Sequence, residues 1–140
     1  MFNTTIATQI YAKICFEATN SQKKIIENLS EYLSDDDFSR IFVLNGFAGT
    51  GKTTLIAAVV AALKELRIKP VLLAPTGRAA KVLARYCGEQ ALTIHKRIYR
   101  QRTNADYESK FSLDFNREQG AVFIVDEASM LSDSTGDGAL

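Results

Sequence analysis

Residues Gly46-Phe47-Ala48-Gly49-Thr50-Gly51-Lys52-Thr53 match the pattern G-x-x-x-x-G-K-[ST], a phosphate-binding loop. No other feature constrains the fold of this chain as tightly, because each position has a physical task. The glycines let successive backbone N–H groups curl around an anionic phosphate chain. The helix that follows points the positive end of its dipole at the same phosphates. Lys52 reaches the β- and γ-phosphates as a point charge, and the Thr53 hydroxyl is placed to ligate Mg²⁺. The candidate phosphate-binding residues run from Gly46 and Ala48 through Gly49, Thr50, Gly51, Lys52 and Thr53 to Thr54. The flanks fit the motif. The partly β-branched run Ile41-Phe42-Val43-Leu44 predicts a buried strand before it, and the apolar-periodic run Leu55 to Leu66 predicts a helix after it. Strand, loop and helix in that order set a true phosphate loop apart from a Gly/Thr linker that matches by chance.

At 140 residues the chain holds one domain, and with 46% apolar residues it has material for a core. The formal net charge of +1 is not that of a protein that grips nucleic acid by bulk charge. Any such contact has to come from a local patch. The basic residues do cluster between Lys64 and Arg102, and the acidic ones lie mainly at 31–37 and beyond 106. Cys15 and Cys87 are far apart and lack metal-ligand spacing, which predicts reduced thiols in a cytoplasmic protein. The N-terminus does not read as a signal peptide, and the longest apolar run is too short and interrupted to cross a membrane.

Along the chain, residues 1–18 are weakly patterned and predict a loosely packed arm, with a short strand or helix as the alternative. Thr19-Asn20-Ser21 offers helix N-caps, and Ile25, Ile26, Leu29, Tyr32 and Leu33 share a helical face that ends at Ser34-Asp35-Asp36-Asp37. After Pro70, Val71-Leu72-Leu73-Ala74 predicts a second buried strand and Pro75-Thr76-Gly77 a turn. Residues 78–87 predict a helix with Val82, Leu83 and Tyr86 on one face and Gly88 as C-cap. Residues 92–99 form a short apolar and basic element. Tyr107, Phe111, Leu113 and Phe115 alternate with polar residues and favour a half-exposed strand or hairpin. Ala121-Val122-Phe123-Ile124-Val125 predicts a third buried strand. Apolar strands alternating with helices define an α/β domain with a parallel sheet. The tail from Ser132 to Leu140 is polar and reads as disordered or cut short.

The third strand ends in Asp126-Glu127, a Walker B signature. A carboxylate at the C-terminal end of a parallel strand sits at the crevice where α/β sheets bind ligands. Asp126 is the candidate Mg²⁺ ligand, directly or through water, and Glu127 the candidate general base for the attacking water. By itself such a strand end is also a common solvated acidic turn. With the phosphate loop upstream it completes a nucleotide site, with Lys52, Asp126 and Glu127 as catalytic candidates. No arginine in this stretch is placed to neutralise the transition state.

The stretches between these motifs resemble those of superfamily 1 helicases. Ala74-Pro75-Thr76-Gly77-Arg78-Ala79-Ala80-Lys81 is similar to motif Ia, Thr93-Ile94-His95 to motif Ib, Asp126-Glu127-Ala128-Ser129-Met130 to motif II, and the phosphate loop to motif I. Gln22 stands where that superfamily places an adenine-reading glutamine. The set is similar to the RecD-like and Dda-like branch, superfamily 1B, whose relatives include the alpha subunit of exodeoxyribonuclease V. The resemblance covers roughly residues 19–132. It implies a P-loop NTPase of RecA-like, three-layer α/β/α fold with a parallel sheet, an ATP- and Mg²⁺-dependent helicase or translocase that moves 5′ to 3′ on single-stranded DNA, and roles in DNA repair and recombination. It implies part of the first motor domain over 19–132, between the arm read from patterning over 1–18 and the polar tail over 133–140. It also assigns DNA contacts to Pro75, Thr76, Gly77, Arg78, Lys81, Thr93 and His95. Hydroxyl and amide groups at a strand end suit a backbone that must be held without reading sequence. Each of these residues has a plainer reading. Pro-Thr-Gly is an ordinary turn, Thr93 an N-cap, His95 a surface histidine, Arg78 and Lys81 a solvated helix face, and Gln22 a polar helix residue.

The later helicase motifs, the second RecA-like domain and the strand that the family places between the P-loop and Walker B strands are not in this chain. The sheet is therefore expected to be incomplete, with a gap or rearranged pairing and edges that invite self-association. The isolated chain is expected to hydrolyse ATP weakly or not at all and to need the remainder of a helicase as its partner. Two other readings stand beside the motor: a P-loop ATPase with a regulatory, non-DNA role, and an inactive remnant.

Overall fold

A computed structural model describes residues 2–37, 39–46, 51–102, 110–113 and 120–131. The chain divides into two compact units, Met1–Pro70 and Val71–Leu140.

The first unit is helical. It contains α1 (Phe2–Lys13), α2 (Asn20–Leu33) and α3 (Lys52–Glu65). The segment expected to be a loose arm is α1, which packs against both α2 and α3. Ile6 and Ile10, one helical turn apart, are buried there, and the Lys13 ammonium pairs with Glu65 at the end of α3 at 2.9 Å. The α2 face follows its periodicity, with Ile26 and Ser30 buried. The Ser30 hydroxyl donates to the Ile26 carbonyl at 2.7 Å, so no buried polar group is left unsatisfied at that position. α3 buries Leu55, Ala58, Val59, Val60, Ala62 and Leu63 and closes with a Schellman motif. The Ile68 N–H donates to the Leu63 carbonyl and the Arg67 N–H to that of Lys64, with Arg67 at φ 58° where glycine is usual.

The run 41–46 differs from its expectation. It forms no strand, and Ile41 and Val43 are 85% and 69% exposed. A strand needs a neighbour to take its N–H and C=O groups, and among the described residues this run has none. It is held by its first residues instead. The Tyr32 hydroxyl donates to the Arg40 carbonyl at 3.0 Å, Arg40 pairs with Asp35 at 2.9 Å, and the Tyr32 and Phe42 rings meet at 5.5 Å.

The second unit holds a three-stranded sheet of order β2-β1-β5, formed by β1 (Pro70–Ala74), β2 (Ala91–Thr93) and β5 (Val122–Val125). β1 and β2 are parallel, with Leu72 opposite Ala91 and Ala74 opposite Thr93. β1 is the central strand and is buried from Val71 to Ala74. β5, expected to be fully buried, alternates half-buried and exposed residues, with Phe123 and Val125 on the exposed face. Among the described residues it is an edge strand with one neighbour, and its period-2 pattern is that of a sheet covered on one face. α4 (Gly77–Cys87) ends at Gly88, which is left-handed at φ 64°. Its buried residues are Ala79, Ala80 and Leu83, whereas Val82 and Tyr86, expected on the same face as Leu83, are exposed. Neighbouring helical positions differ by about 100°, so Val82 and Leu83 cannot both point at the sheet. α5 (Ile94–Ile98) follows β2, and β3 (Tyr99–Arg102) pairs antiparallel with β4 (Lys110–Leu113), Gln101 opposite Phe111. That is the expected hairpin. Tyr107, Phe115 and the tail from 132 lie outside the described residues. No helix among the described residues is long and apolar enough to cross a membrane.

Candidate nucleotide and phosphate-binding site

In the first unit the phosphate loop meets the start of α2. Thr19 caps α2 through a capping box: its hydroxyl accepts from the Gln22 N–H at 3.2 Å, and the Gln22 Oε1 accepts from the Thr19 N–H at 2.9 Å. The box fixes the Gln22 amide, and its Nε2 lies 3.2 Å from where a Cβ on Gly51 would stand. The glutamine that the resemblance singled out is thus placed beside the last glycine of the loop. Gly51 sits at φ 82°, ψ 15°, a left-handed conformation open to glycine at little cost, and it starts α3 with no side-chain cap. The first amides of α3 therefore meet no capping side chain, the condition under which a helix start receives an anion. The Lys52 ammonium donates to the Gly46 carbonyl and so closes the loop on itself. Lys52 and Thr53 are half-buried, and Gly46 and Thr54 are exposed. Ala48, Gly49 and Thr50 lie outside the described residues.

In the second unit three motif residues meet at one end of the sheet. Thr93 ends β2 opposite Ala74, the last residue of β1, and Pro75-Thr76 follows directly. The Asp126 N–H donates to the Leu73 carbonyl at 3.0 Å, so the end of β5 lies against the end of β1. Each threonine caps the helix after it. The Thr76 hydroxyl accepts from the Ala79 N–H at 3.2 Å, and the Thr93 hydroxyl accepts from the Lys96 N–H at 3.1 Å. Pro75 is half-buried, and Thr76, Gly77, Arg78, Lys81 and His95 are exposed. A Cβ on Gly77 would meet nothing within 4 Å, so this corner is open. Asp126 is half-buried and Glu127 exposed. Glu127 has φ 55°, ψ 38°, a left-handed conformation costly for a residue with a Cβ, and it starts the 3₁₀ turn Ala128–Met130. Burial pushes the Cys87 thiol up from its ordinary pKa, and the Asp126 and Glu89 carboxylates push it the same way. Cys87 and the exposed Cys15 are both free thiols.

Two features of the site stand apart from the motif reading. Thr19-x-x-Gln22 is the pattern of a capping box, and it gives Gln22 a structural task besides any nucleotide contact. The left-handed Glu127 had no sequence signal. Among the described residues no group of three or more His, Cys, Asp or Glu could hold a resident metal ion. Mg²⁺ that arrives with nucleotide needs only one or two protein oxygens, because phosphates and water supply the rest. Thr53 in the first unit and Asp126 in the second each carry a hard oxygen donor of that kind.

Helices, a small parallel sheet and a phosphate loop opening a helix define an α/β P-loop NTPase. The chain belongs to the AAA-domain family, whose model matches residues 17–139. Its relatives place it on the RecD-like side of superfamily 1. It is 30% identical over 114 residues to the ATP-dependent RecD2 DNA helicase of Deinococcus radiodurans, a match over 81% of this chain and 15% of that protein. It is 37% identical over 92 residues to the ATP-dependent DNA helicase dda of Enterobacteria phage T4, a match over 62% of this chain and 20% of that protein. The chain thus spans at most one fifth of the length of either relative. Helix α1 precedes the matched span.

Proposed function

We propose that the chain is part of the ATP-driven motor of a DNA helicase or translocase, which binds ATP with Mg²⁺ and holds single-stranded DNA. The observation that carries the proposal is the meeting of Thr76, Thr93 and Asp126 at the C-terminal ends of adjacent strands, the position at which α/β sheets place ligands. Movement from 5′ to 3′, a second motor domain as partner and service in repair or recombination are the parts of this reading that rest on the resemblance to superfamily 1B, and a cytoplasmic setting rests on the reading of Cys15 and Cys87 as reduced thiols.

The proposed roles follow from chemistry. The amides that open α3 receive phosphate oxygens, and the Lys52 ammonium exchanges the Gly46 carbonyl for the β- and γ-phosphates. Gln22 keeps Oε1 in the capping box and has Nε2 to offer an adenine acceptor. Mg²⁺, when bound, neutralises charge developing on the phosphates, with Thr53 and Asp126 as its protein ligands. Glu127 takes the proton of the attacking water. The Pro75–Arg78 corner, Lys81, Thr93 and His95 hold the DNA backbone through hydroxyl, amide and cationic groups.

One observation favours the second reading, a P-loop ATPase without a DNA substrate: both threonine hydroxyls already cap helices, so neither needs DNA to explain it. ATP hydrolysis by the longest product that carries this chain, with and without a single-stranded oligonucleotide, separates the two. Stimulation by the oligonucleotide that disappears in Lys52→Ala supports the motor. Hydrolysis abolished by Lys52→Ala but indifferent to DNA refutes it in favour of the plain ATPase.

A further inference from the structure

We infer that the outer face of α4 extends the nucleic-acid track beyond the Thr76 corner, with Arg85 as an additional phosphate contact and Tyr86 as a platform on which a base stacks. The inference rests on the DNA-binding reading above and goes beyond the residues assigned there.

The helix sequence Gly77-Arg78-Ala79-Ala80-Lys81-Val82-Leu83-Ala84-Arg85-Tyr86-Cys87 contains three cations and no acid. Folding sorts it sharply. Ala79, Ala80 and Leu83 are buried, while Arg78, Lys81, Val82, Arg85 and Tyr86 are exposed. At 3.6 residues per turn Arg78 and Arg85 stand almost in line, about 10 Å apart along the axis. Lys81 lies to one side of that line and Tyr86 to the other. Arg78, Lys81 and Arg85 take part in no ion pair among the described residues, whereas Lys13 and Arg40 do. An ordinary solvated face mixes signs, as the exposed Lys23, Lys24, Glu27 and Glu31 of α2 do. On a chain of net charge +1 the all-positive stripe is local rather than a consequence of overall basicity.

The occupant follows from this chemistry. Unpaired cations in a row suit a polyanion, and a tyrosine ring that is 60% exposed beside them offers a flat face to a base. The stripe starts at Arg78, next to the open Thr76–Gly77 corner, so a strand held there runs onto α4 without a break. Cationic grooves with interleaved aromatics bind single strands with little sequence preference, as a translocating motor requires.

The test is anisotropy of a labelled oligothymidylate bound to the longest product that carries this chain, over a series of salt concentrations. Arg85→Ala is expected to make the slope of log K against log salt shallower by about 0.7. Tyr86→Ala is expected to weaken binding about tenfold without changing the slope, and Tyr86→Phe to keep wild-type binding. Both positions are exposed, so folding is not at stake, and nucleotide binding serves as the check. If the wild-type protein binds no single-stranded DNA, this inference falls together with the DNA-binding reading. If it binds and the Arg85 and Tyr86 variants match it in affinity and slope, the inference alone falls.

Discussion

Replacing Gly51 by alanine tests the geometry on which the nucleotide site rests. Gly51 has φ 82° and opens α3. A side chain in the left-handed region costs about 1–2 kcal/mol. The new Cβ would also stand 3.2 Å from the Gln22 Nε2. That amide can give by a few tenths of an ångström, but its other end accepts the Thr19 N–H at 2.9 Å, so moving it loosens a cap worth about 1 kcal/mol. Backbone strain outweighs the crowding, and Gly51→Ala should cost about 1–3 kcal/mol in all. In a Gln22→Ala background the crowding vanishes and the backbone strain stays, so the coupling between the two substitutions should be below about 1 kcal/mol. Urea unfolding of the four proteins at a shared m value measures this. A stability for Gly51→Ala within about 0.3 kcal/mol of wild type would refute the left-handed assignment. Complete rescue by Gln22→Ala would show that crowding, not backbone strain, sets the cost. Arg67→Gly is the opposite control. It places glycine where Arg67 holds φ 58° in the Schellman motif, and it should stabilise by about 1 kcal/mol.

Three further outcomes are expected. Ile10→Ala should cost about 2–5 kcal/mol in the same assay, because Ile10 is fully buried; a cost near zero would restore the view of α1 as a loose arm. Leu83→Ala should cost a similar amount while Val82→Ala stays within about 0.5 kcal/mol, since Leu83 is 0% and Val82 44% exposed. The hydrogen bond from Lys13, and then its charge, hold the Glu65 carboxyl below its ordinary 4.5. The unfolded pKa is then the higher one, so the contribution is whole above about pH 4.5 and is lost as pH falls through the lower, folded value. An NMR titration should show the Glu65 midpoint rise in Lys13→Ala.

What was legible in the sequence is what depends on neighbours along the chain. The helix after the phosphate loop, the Thr19 and Thr93 caps, the Gly88 C-cap and the apolar β1 all follow from spacing over a few residues. What was misread depends on neighbours in space. The run Ile41-Phe42-Val43-Leu44 has strand composition, but composition does not report whether another strand is there to pair with it. The face of α4 was misplaced because Val82 and Tyr86 look more like core than Ala79 and Ala80 do. Small residues allow the closest approach of helix to sheet and so hold the inner position. In α1 the β-branched apolar signal is Ile6 and Ile10 among threonines, and their burial shows once α2 and α3 are in place. In the site, Gly51, Lys52 and Asp126 follow from motif spacing, whereas Gln22, Thr76 and Thr93 come from the resemblance to superfamily 1 helicases. The φ of Glu127 and the capping task of Gln22 became visible only in the fold.

The structural and functional readings of the threonines do not exclude each other, and the reason lies in the hydroxyl group. β1 and β2 run parallel, so their C-terminal ends emerge on the same side, and each passes through a threonine into a helix. A cap uses the threonine oxygen as an acceptor, from the Ala79 N–H and the Lys96 N–H respectively. The O–H remains a donor. The capping bond fixes the rotamer, so the donor is oriented before any phosphate arrives, and less entropy is lost on binding. Thr76→Val keeps the shape and removes both functions, whereas Thr76→Ser keeps both. If the hydroxyl only caps, Thr76→Val loses about 1 kcal/mol of stability and binds single-stranded DNA as the wild type does wherever it is folded. If it also holds a backbone phosphate, affinity drops in conditions where the variant is fully folded, and Thr76→Ser restores it. Equal binding by the folded valine and serine variants would reduce this corner of the sheet to a helix start.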